Sequence, residues 1–161
     1  GTEKGEYSET LCIANSKLHL YCIDPWKVYG GNLGYHIGVT QTQFDDYYKE
    51  TKERLRPYKA TIIREMSMDA VEKFENNSLD FVYIDANHRL EYVINDIVKW
   101  SEKVRPGGLV SGHDYITYKD QHFSHIVEAV TAYNSAYRRG LPWFILDTKP
   151  VDKFRSWFFI K

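Results

Sequence analysis

Two apolar segments of this sequence are each followed by acidic and imidazole side chains. Asp85 and His88 come after the first segment, and His113 with Asp114 comes after the second. Carboxylate and imidazole groups accept protons near neutral pH and bind divalent cations. Because burying an unpaired carboxylate is costly, Asp85 is expected to have a charge partner or a metal ion, which favours a functional role.

Two interpretations of this set stay open on the residues alone. Asp85, His113 and Asp114 offer oxygen and nitrogen ligands for a divalent cation, but a hydrogen-bonded network of histidine and aspartate without metal fits them as well. His88 is either a base or a helix-start residue that hydrogen bonds to its loop. An unperturbed imidazole titrates at a pH of about 6.5, so His88 needs no unusual environment to act as a base at neutral pH.

Glycines near the start of the chain and an acid further on indicate a ribose-bearing ligand. Gly1 and Gly5 precede a helical stretch, and glycines there let backbone N–H groups approach a ligand beside the helix N-terminus. Asp24 follows after roughly 20 residues, the distance at which nucleotide-binding sheets place an acid for both ribose hydroxyls. Alone, the glycines would indicate a flexible tail and Asp24 a turn residue; together they favour the ribose.

Helical and strand-like patterns alternate almost strictly along the chain, and these elements must position the polar groups. Apolar residues recur at helical spacing over residues 6–15, 44–55, 67–74, 90–98 and 123–137. Strand-like runs cover residues 18–24, 60–64, 79–85, 109–111, 143–146 and 154–160. This order predicts an α/β fold with a doubly wound, mostly parallel sheet flanked by helices and a C-terminal antiparallel hairpin. Ligands of such sheets bind at the carboxyl ends of the strands.

Three details within this pattern are separate predictions. Residues 79–85 are apolar on both faces, which predicts a strand in the centre of the sheet. Ser67 is expected to cap the helix that follows residues 60–64. Residues 25–42 are rich in glycine and predict a mobile loop. On this loop Tyr29, Tyr35 and His36 either cover an acceptor or are ordinary surface aromatics.

Composition argues against several classes of protein. The chain has 161 residues and a formal net charge of −1, which fits a single domain over residues 1–161 and disfavours nucleic acid as an electrostatic partner. Its apolar runs are far shorter than the roughly 20 residues that span a bilayer. Cys12 and Cys22 lack a C-x-x-C spacing, which predicts small core residues in a reduced, cytoplasmic protein.

Four segments together resemble a known family. They are residues 1–8 (GTEKGEYS), 22–26 (CIDPW), 79–88 (LDFVYIDANH) and 104–115 (VRPGGLVSGHDY). They look like class I S-adenosylmethionine-dependent methyltransferases, and most of all like methyltransferase family 24. The resemblance spans nearly the whole chain and implies a Rossmann-like, seven-stranded sheet whose last strand is antiparallel.

The resemblance also implies which residues bind S-adenosylmethionine. The glycine turn would hold the methionine moiety, Asp24 the ribose, and Ser67 with Met68 would flank the adenine. Asp85 is expected to contact the cofactor as well. The residues of the glycine turn in this role are Gly1, Thr2, Gly5, Tyr7 and Ser8.

Further roles follow from the related catechol-type O-methyltransferases. In that branch a metal-binding Asp is followed three positions later by a catalytic base, and two more ligands end the next strand. Asp85, His88, His113 and Asp114 fall on those positions. Because His88 stands where the branch has Lys, and His113 where it has Asp, the resemblance leaves metal dependence open.

These observations lead to one leading function and two alternatives. The leading function is O-methylation of a small-molecule or sugar hydroxyl, with His88 as the general base while Asp85 and His113 orient the substrate, directly or through a bound cation. The second is a noncatalytic nucleotide-binding or assembly module that kept the fold. An NAD-dependent oxidoreductase is disfavoured because the turn lacks the closer G-x-G spacing of dinucleotide sites.

The position of the glycine turn raises one further expectation. The fold implied by the resemblance places a first strand before Gly1, so the sequence is expected to be incomplete at its N-terminus. Without that strand the neighbouring strand edges would be unpaired. The oligomeric state stays open between a monomer and a homo-oligomer in which a strand of another chain fills the gap.

Overall fold

The computed structural model describes residues 1–28, 38–117, 124–146 and 154–161. The chain forms two compact units, Gly1–Ala70 and Val71–Lys161. In both units parallel strands alternate with helices, and the last two strands are antiparallel. The predicted α/β fold with a mostly parallel sheet and a C-terminal antiparallel hairpin is therefore confirmed. In the described ranges no helix has both the length and the apolar character to cross a membrane.

The described residues of the first unit form three helices and two strands. They are α1 (Glu6–Ala14), β1 (Leu20–Ile23), α2 (Gln41–Leu55), β2 (Ala60–Ile63) and α3 (Ser67–Ala70). The strands pair in parallel, with Leu20 opposite Ala60 and Ile23 opposite Ile63. Thr40 and Gln43 form a capping box at the start of α2. The unit buries both cysteines, as predicted, together with Trp26, Phe44 and Leu55.

In the part of the second unit that the structure describes, four strands form a sheet in the order β3-β4-β6-β5. Its elements are a 3₁₀ turn (Val71–Lys73), β3 (Leu79–Ile84), α4 (Leu90–Lys103), β4 (Val104–Gly112), α5 (Ile126–Tyr133) with a π-helical turn (Asn134–Arg138), β5 (Phe144–Leu146) and β6 (Ser156–Ile160). β3 and β4 are parallel, whereas β6 runs antiparallel to both β4 and β5. The apolar stripe of α4 faces the core through Val93, Ile97 and Trp100.

Two local predictions are wrong within the described residues. β3 lies at one end of its sheet and not in the centre. The side chains of β3 are apolar because both faces of the strand are partly covered. A strand can be covered on both faces without being paired at both edges. Ser67 is the first residue of α3 and not its cap, because the Met66 carbonyl already accepts the N–H groups of Asp69 and Ala70. The described strands number six in two sheets, where the resemblance implies seven in one.

Candidate active site

Asp24, directly after β1, holds the glycine turn of the first unit. Its Oδ2 accepts the backbone N–H groups of Thr2 at 2.9 Å and Glu3 at 3.0 Å, and its Oδ1 accepts that of Trp26 at 2.7 Å. The Thr2 hydroxyl also donates to the Ile23 carbonyl at 3.3 Å. The acid and the turn, which are far apart in sequence, therefore meet in the structure.

Gly5 places the turn at the start of α1. It is the N-cap residue, with a φ of 78° that strongly favours glycine. A Cβ added there would lie 3.2 Å from Thr51 Cγ2, so α2 leaves little room for a side chain. Because glycine has no side chain, it leaves the first N–H groups of α1 to other partners. Tyr7 in this first turn is exposed and Ser8 is half-buried.

Ser67 and Met68 lie after β2, the neighbour of β1. Since Ile23 and Ile63 are paired in parallel strands, β2 ends at the same edge of this sheet as the strand before Asp24. Both residues are half-buried at the start of α3. Their predicted place near the adenine is consistent with this edge, and their role stays a prediction.

Burial decides the state of the Cys22 thiol in the same unit. It raises the pKa of Cys22 to about 11, against a hydrogen bond with Ser8 that lowers it. The thiol is protonated at neutral pH and is a poor nucleophile.

The second unit brings Asp85, His88, His113 and Asp114 together. Asp85 follows β3, and His113 with Asp114 follows β4, whose Gly112 is paired with Ile84 in parallel. His88 Nε2 lies 3.1 Å from Asp114 Oδ2 and 3.8 Å from Asp85 Oδ1. His113 Nδ1 lies 3.5 Å from Asp114 Oδ1 and 3.9 Å from Asp85 Oδ2. The carboxylates and the imidazoles therefore alternate in one cluster.

Close packing at the end of β4 sets this geometry. A Cβ on Gly112 would lie 2.5 Å from the Ile84 carbonyl oxygen and 2.6 Å from the Trp157 ring, so only glycine fits there. The next residue, His113, donates its backbone N–H to the same carbonyl at 3.1 Å. Asp114 has a φ of 55°, in the left-handed region. This backbone conformation turns the chain out of the strand at the cluster.

The two aspartates raise the pKa of His88. The side chain is only 4% exposed, and this burial disfavours the charged imidazolium. The close contact with Asp114, together with the negative charges of Asp114 and Asp85, outweighs burial and raises the pKa of His88 to about 9. The premise that His88 titrates at its ordinary pH is therefore wrong, and the ligand-free protein carries an imidazolium at neutral pH.

Asp114 shows the reverse shift. Burial would raise the pKa of its carboxyl, but hydrogen bonds from His113 and His88, and their positive charges, hold it far below its usual range. Asp114 is thus the ionised partner of His88. Asp85 is the more open carboxylate, with 41% of its side chain exposed.

Three residues of this cluster fit a divalent cation by their chemistry. One ligand atom from each of Asp85, His113 and Asp114 lies within 4.8 Å of the others. Two carboxylates and one imidazole suit ions such as Mn²⁺, Fe²⁺ or Zn²⁺. The network without metal is also present, because His88 pairs with Asp114. The geometry therefore accommodates both interpretations from the sequence.

Sequence reasoning missed the residue that holds the His88 loop. The His125 backbone N–H donates to the His88 carbonyl at 2.7 Å, and His125 Nδ1 accepts the N–H of Leu90 at 3.1 Å. This imidazole thereby satisfies one N–H at the start of α4. In the sequence His125 falls inside the helical stretch expected over residues 123–137, with no spacing to link it to His88; in the structure it is the N-cap of α5. Tyr29, Tyr35 and His36 lie outside the described residues.

The chain is similar to known methyltransferases in sequence pattern and in fold. The profile of a family described as a methyltransferase domain matches residues 1–115. Solved structures of the same fold include a protein from Corynebacterium glutamicum, at 15% identity and a TM-score of 0.65, which covers 94% of this chain and 66% of that one. An O-methyltransferase family protein from Burkholderia thailandensis has 12% identity and a TM-score of 0.63, and covers 98% of this chain and 48% of that one.

A third solved structure contains a ligand. It is the O-methyltransferase from Bacillus cereus in complex with SAH, at 11% identity and a TM-score of 0.58, covering 100% of this chain and 82% of that one. At these identities the solved structures establish the fold alone. The chain spans between about half and two thirds of the length of the first two proteins. No curated protein matches the chain.

Proposed function

We propose, because the chain belongs to methyltransferase family 24 of the class I methyltransferases, that it transfers a methyl group from S-adenosylmethionine to a hydroxyl of a small molecule or sugar. The observation that carries the proposal is the cluster of Asp85, His88, His113 and Asp114. Transfer to a hydroxyl requires a group that takes its proton and groups that orient it, and this cluster offers both.

The first unit offers groups that fit the cofactor. We assign the methionine moiety to the turn and first helical residues Gly1, Thr2, Gly5, Tyr7 and Ser8. Asp24 would accept from the ribose, since its Oδ1 keeps a lone pair beyond the Trp26 N–H. Ser67 and Met68 would flank the adenine, and we assign Asp85 to the cofactor as well. When bound, the cofactor supplies a methyl group made electrophilic by a positively charged sulfonium. The SAH in the Bacillus cereus protein, the product left by such a transfer, supports this ligand class.

His88 is the base in this proposal, and its raised pKa governs when it can act. With the pKa of His88 at about 9, only about one molecule in a hundred carries the neutral imidazole at pH 7. The neutral form accepts the hydroxyl proton, while Asp85 and His113 orient the hydroxyl. In the protein without a bound cation, the rate is therefore expected to rise with pH up to about 9.

A divalent cation at Asp85, His113 and Asp114 would supply positive charge beside the acceptor oxygen. We predict that prolonged dialysis against a chelator lowers the methylation rate at least about tenfold, and that added Mn²⁺ or Mg²⁺ restores it. The Asp85→Asn variant should lose this response because one charged ligand is gone. A rate that the chelator leaves unchanged, with no metal in the purified protein, would instead support the hydrogen-bonded network without metal.

Asp24 provides a separate test of the cofactor site. In Asp24→Asn the carboxamide presents an N–H₂ group toward the N–H donors of the turn or toward the ribose, and the charge is lost. The dissociation constant for S-adenosylmethionine, measured by calorimetry, should rise about ten- to a hundredfold. Asp46→Asn is the matched control, because Asp46 is exposed and pairs with Lys49 on the same helix. Equal affinity in both variants would contradict the ribose assignment.

The function as a whole is tested with a methyl-labelled cofactor. The full chain is incubated with labelled S-adenosylmethionine and a pool of small molecules that carry hydroxyl groups, and labelled product is detected by mass spectrometry. Transfer to a hydroxyl supports the proposal. Tight cofactor binding without transfer to any member of the pool would support the noncatalytic nucleotide-binding module.

A further inference from the structure

The peptide between Glu3 and Lys4 is held by side chains from distant parts of the first unit. The Glu3 carbonyl accepts from Trp26 Nε1 at 2.7 Å and lies 2.8 Å from the Thr51 hydroxyl. The N–H of Glu3 donates to Asp24. The next carbonyl, that of Lys4, accepts from Arg54 Nε at 3.0 Å. The segment after β1 and helix α2 thus both contribute donors to one turn.

Glu3 has a backbone conformation that needs such support. Its φ is 50°, in the left-handed region that a residue with a Cβ adopts at a cost. Strained conformations of this kind persist when the surrounding contacts over-determine them. Here side chains outside the turn bind both the N–H and the carbonyl of Glu3, and these contacts stabilise its left-handed conformation.

Trp26 and Thr51 are suited to this task by their burial. Trp26 is 1% exposed and Thr51 is 0% exposed. Trp26 also donates its backbone N–H to Asp24 Oδ1, and its ring packs 5.0 Å from the Tyr48 ring centroid. The Thr51 hydroxyl shares its hydrogen between the Glu3 carbonyl and that of Tyr47, at 2.9 Å. Trp26 is therefore the principal donor and Thr51 the second.

The geometry of a peptide bond links these contacts to the ligand side of the turn. In a trans peptide the N–H and the C=O point in opposite directions. Drawing the Glu3 carbonyl toward Trp26 and Thr51 therefore directs the Lys4 N–H away from them. That N–H precedes Gly5, the N-cap of α1, where N–H groups converge on a bound anion in many proteins.

We propose that Trp26 and Thr51 are positioning residues that orient the Glu3–Lys4 peptide for the methionine carboxylate of the cofactor. This inference rests on the proposed function, since it takes S-adenosylmethionine as the ligand of the turn. Neither residue touches the cofactor in this role. They act by holding the peptide before the ligand arrives, which lowers the entropic cost of binding.

The test uses three variants of the full chain: Trp26→Phe, Thr51→Val and the combination of both. Each single replacement removes one donor, and the dissociation constant for S-adenosylmethionine should rise about two- to tenfold. In the double variant the rise in the dissociation constant should exceed the product of the two single rises, because the Glu3 carbonyl then loses both donors. At saturating cofactor the kcat should stay near that of the original protein. In the ligand-free protein, hydrogen exchange at the Glu3 amide, measured by NMR, should be faster in each single variant than in the original protein and fastest in the double variant.

Matched controls separate positioning from general stability. Trp100→Phe removes a buried indole from the second unit, and Thr10→Val removes an exposed hydroxyl that donates to the Glu6 carbonyl within α1. Both should leave the affinity and the Glu3 exchange rate unchanged, even where the melting temperature falls. Variants at Trp26 and Thr51 that lose stability but bind as tightly as the original would overturn the inference. Failure of the original chain to bind S-adenosylmethionine would instead count against the proposed function, while the exchange measurement would still test the positioning contacts.

Discussion

Replacing His88 with glutamine is expected to lower the kcat for methyl transfer by roughly 10²- to 10⁴-fold, the usual loss when a general base is removed. Glutamine keeps a polar side chain of similar length but cannot accept a proton at neutral pH. The affinity for S-adenosylmethionine should change little, because the assigned cofactor residues lie mostly in the other unit. Stopped assays with labelled cofactor measure kcat, and calorimetry measures the affinity.

The pH profile identifies the role of His88 more sharply than the rate alone. With the pKa of His88 at about 9 in the cation-free protein, the rate of the original protein after dialysis against a chelator should increase about tenfold per pH unit between pH 6 and 8 and level off above about pH 9. The slope follows because the base must first lose its proton. In His88→Gln the remaining rate should show no such rise.

His19→Gln is the matched control for this experiment. His19 is exposed on the first unit, and its Nε2 lies 3.0 Å from the Thr61 hydroxyl. This variant should keep both the rate and the pH profile. Full turnover in His88→Gln with saturable cofactor binding would contradict the assignment of the base, and the cluster would then serve only to orient substrate or hold a cation.

Parallel strand ends made the polar cluster predictable from sequence. Asp85 and His113 each follow an apolar run, and parallel neighbours bring such positions to one edge. The spacing between the glycines and Asp24 similarly predicted that both belong to one ligand site, and in the structure Asp24 accepts the Thr2 N–H of the turn. In both cases the acidic residue directly follows a strand-like run, and such runs can be recognised by periodicity.

Contacts that depend on side-chain packing were not predictable in this way. The pKa of His88 depends on its burial and on two carboxylates at 3.1 and 3.8 Å, and neither quantity follows from spacing. The sequence contains Trp26 in a recognised segment, but it does not show which backbone carbonyl accepts the indole N–H. Thr51 and His125 had no motif at all. The position of β3 at one end of its sheet was not predicted. An apolar pattern shows that both faces of a strand are covered, but it does not show whether both edges of the strand are paired.

The second large effect concerns the stability conferred by the His88–Asp114 pair. We predict that Asp114→Asn lowers the free energy of unfolding by roughly 3 to 5 kcal/mol near pH 6, because it leaves the buried imidazolium without its main counter-charge. The pKa of His88 should then fall below about 9, because burial lowers this pKa and the Asp114 carboxylate no longer raises it. Urea unfolding measures the first change, and NMR titration of the His88 ring measures the second.

The pH dependence of stability follows from the directions of the two shifts. A histidine with a raised pKa stabilises the folded state fully below its ordinary pKa of 6.5, and this contribution is lost as the pH rises through about 9. The lowered pKa of Asp114 contributes stability above its ordinary value of 3.8, which is lost as the pH falls below it. The pair is therefore most stabilising between about pH 4 and 6.5. Between pH 6.5 and 9 it should lose roughly 2 to 3 kcal/mol.

The difference between the original protein and Asp114→Asn isolates this contribution from other titrating groups. That difference should be largest near pH 6 and shrink toward pH 9.5, where His88 is mostly neutral in both proteins. Asp80→Asn is the control, because Asp80 is exposed and pairs with Arg105 at the surface, where an ion pair contributes about 0 to 1 kcal/mol. A difference that stays constant from pH 6 to 9.5 would mean that Asp114 stabilises the fold through backbone geometry alone. His88 would then not carry the charge assigned to it.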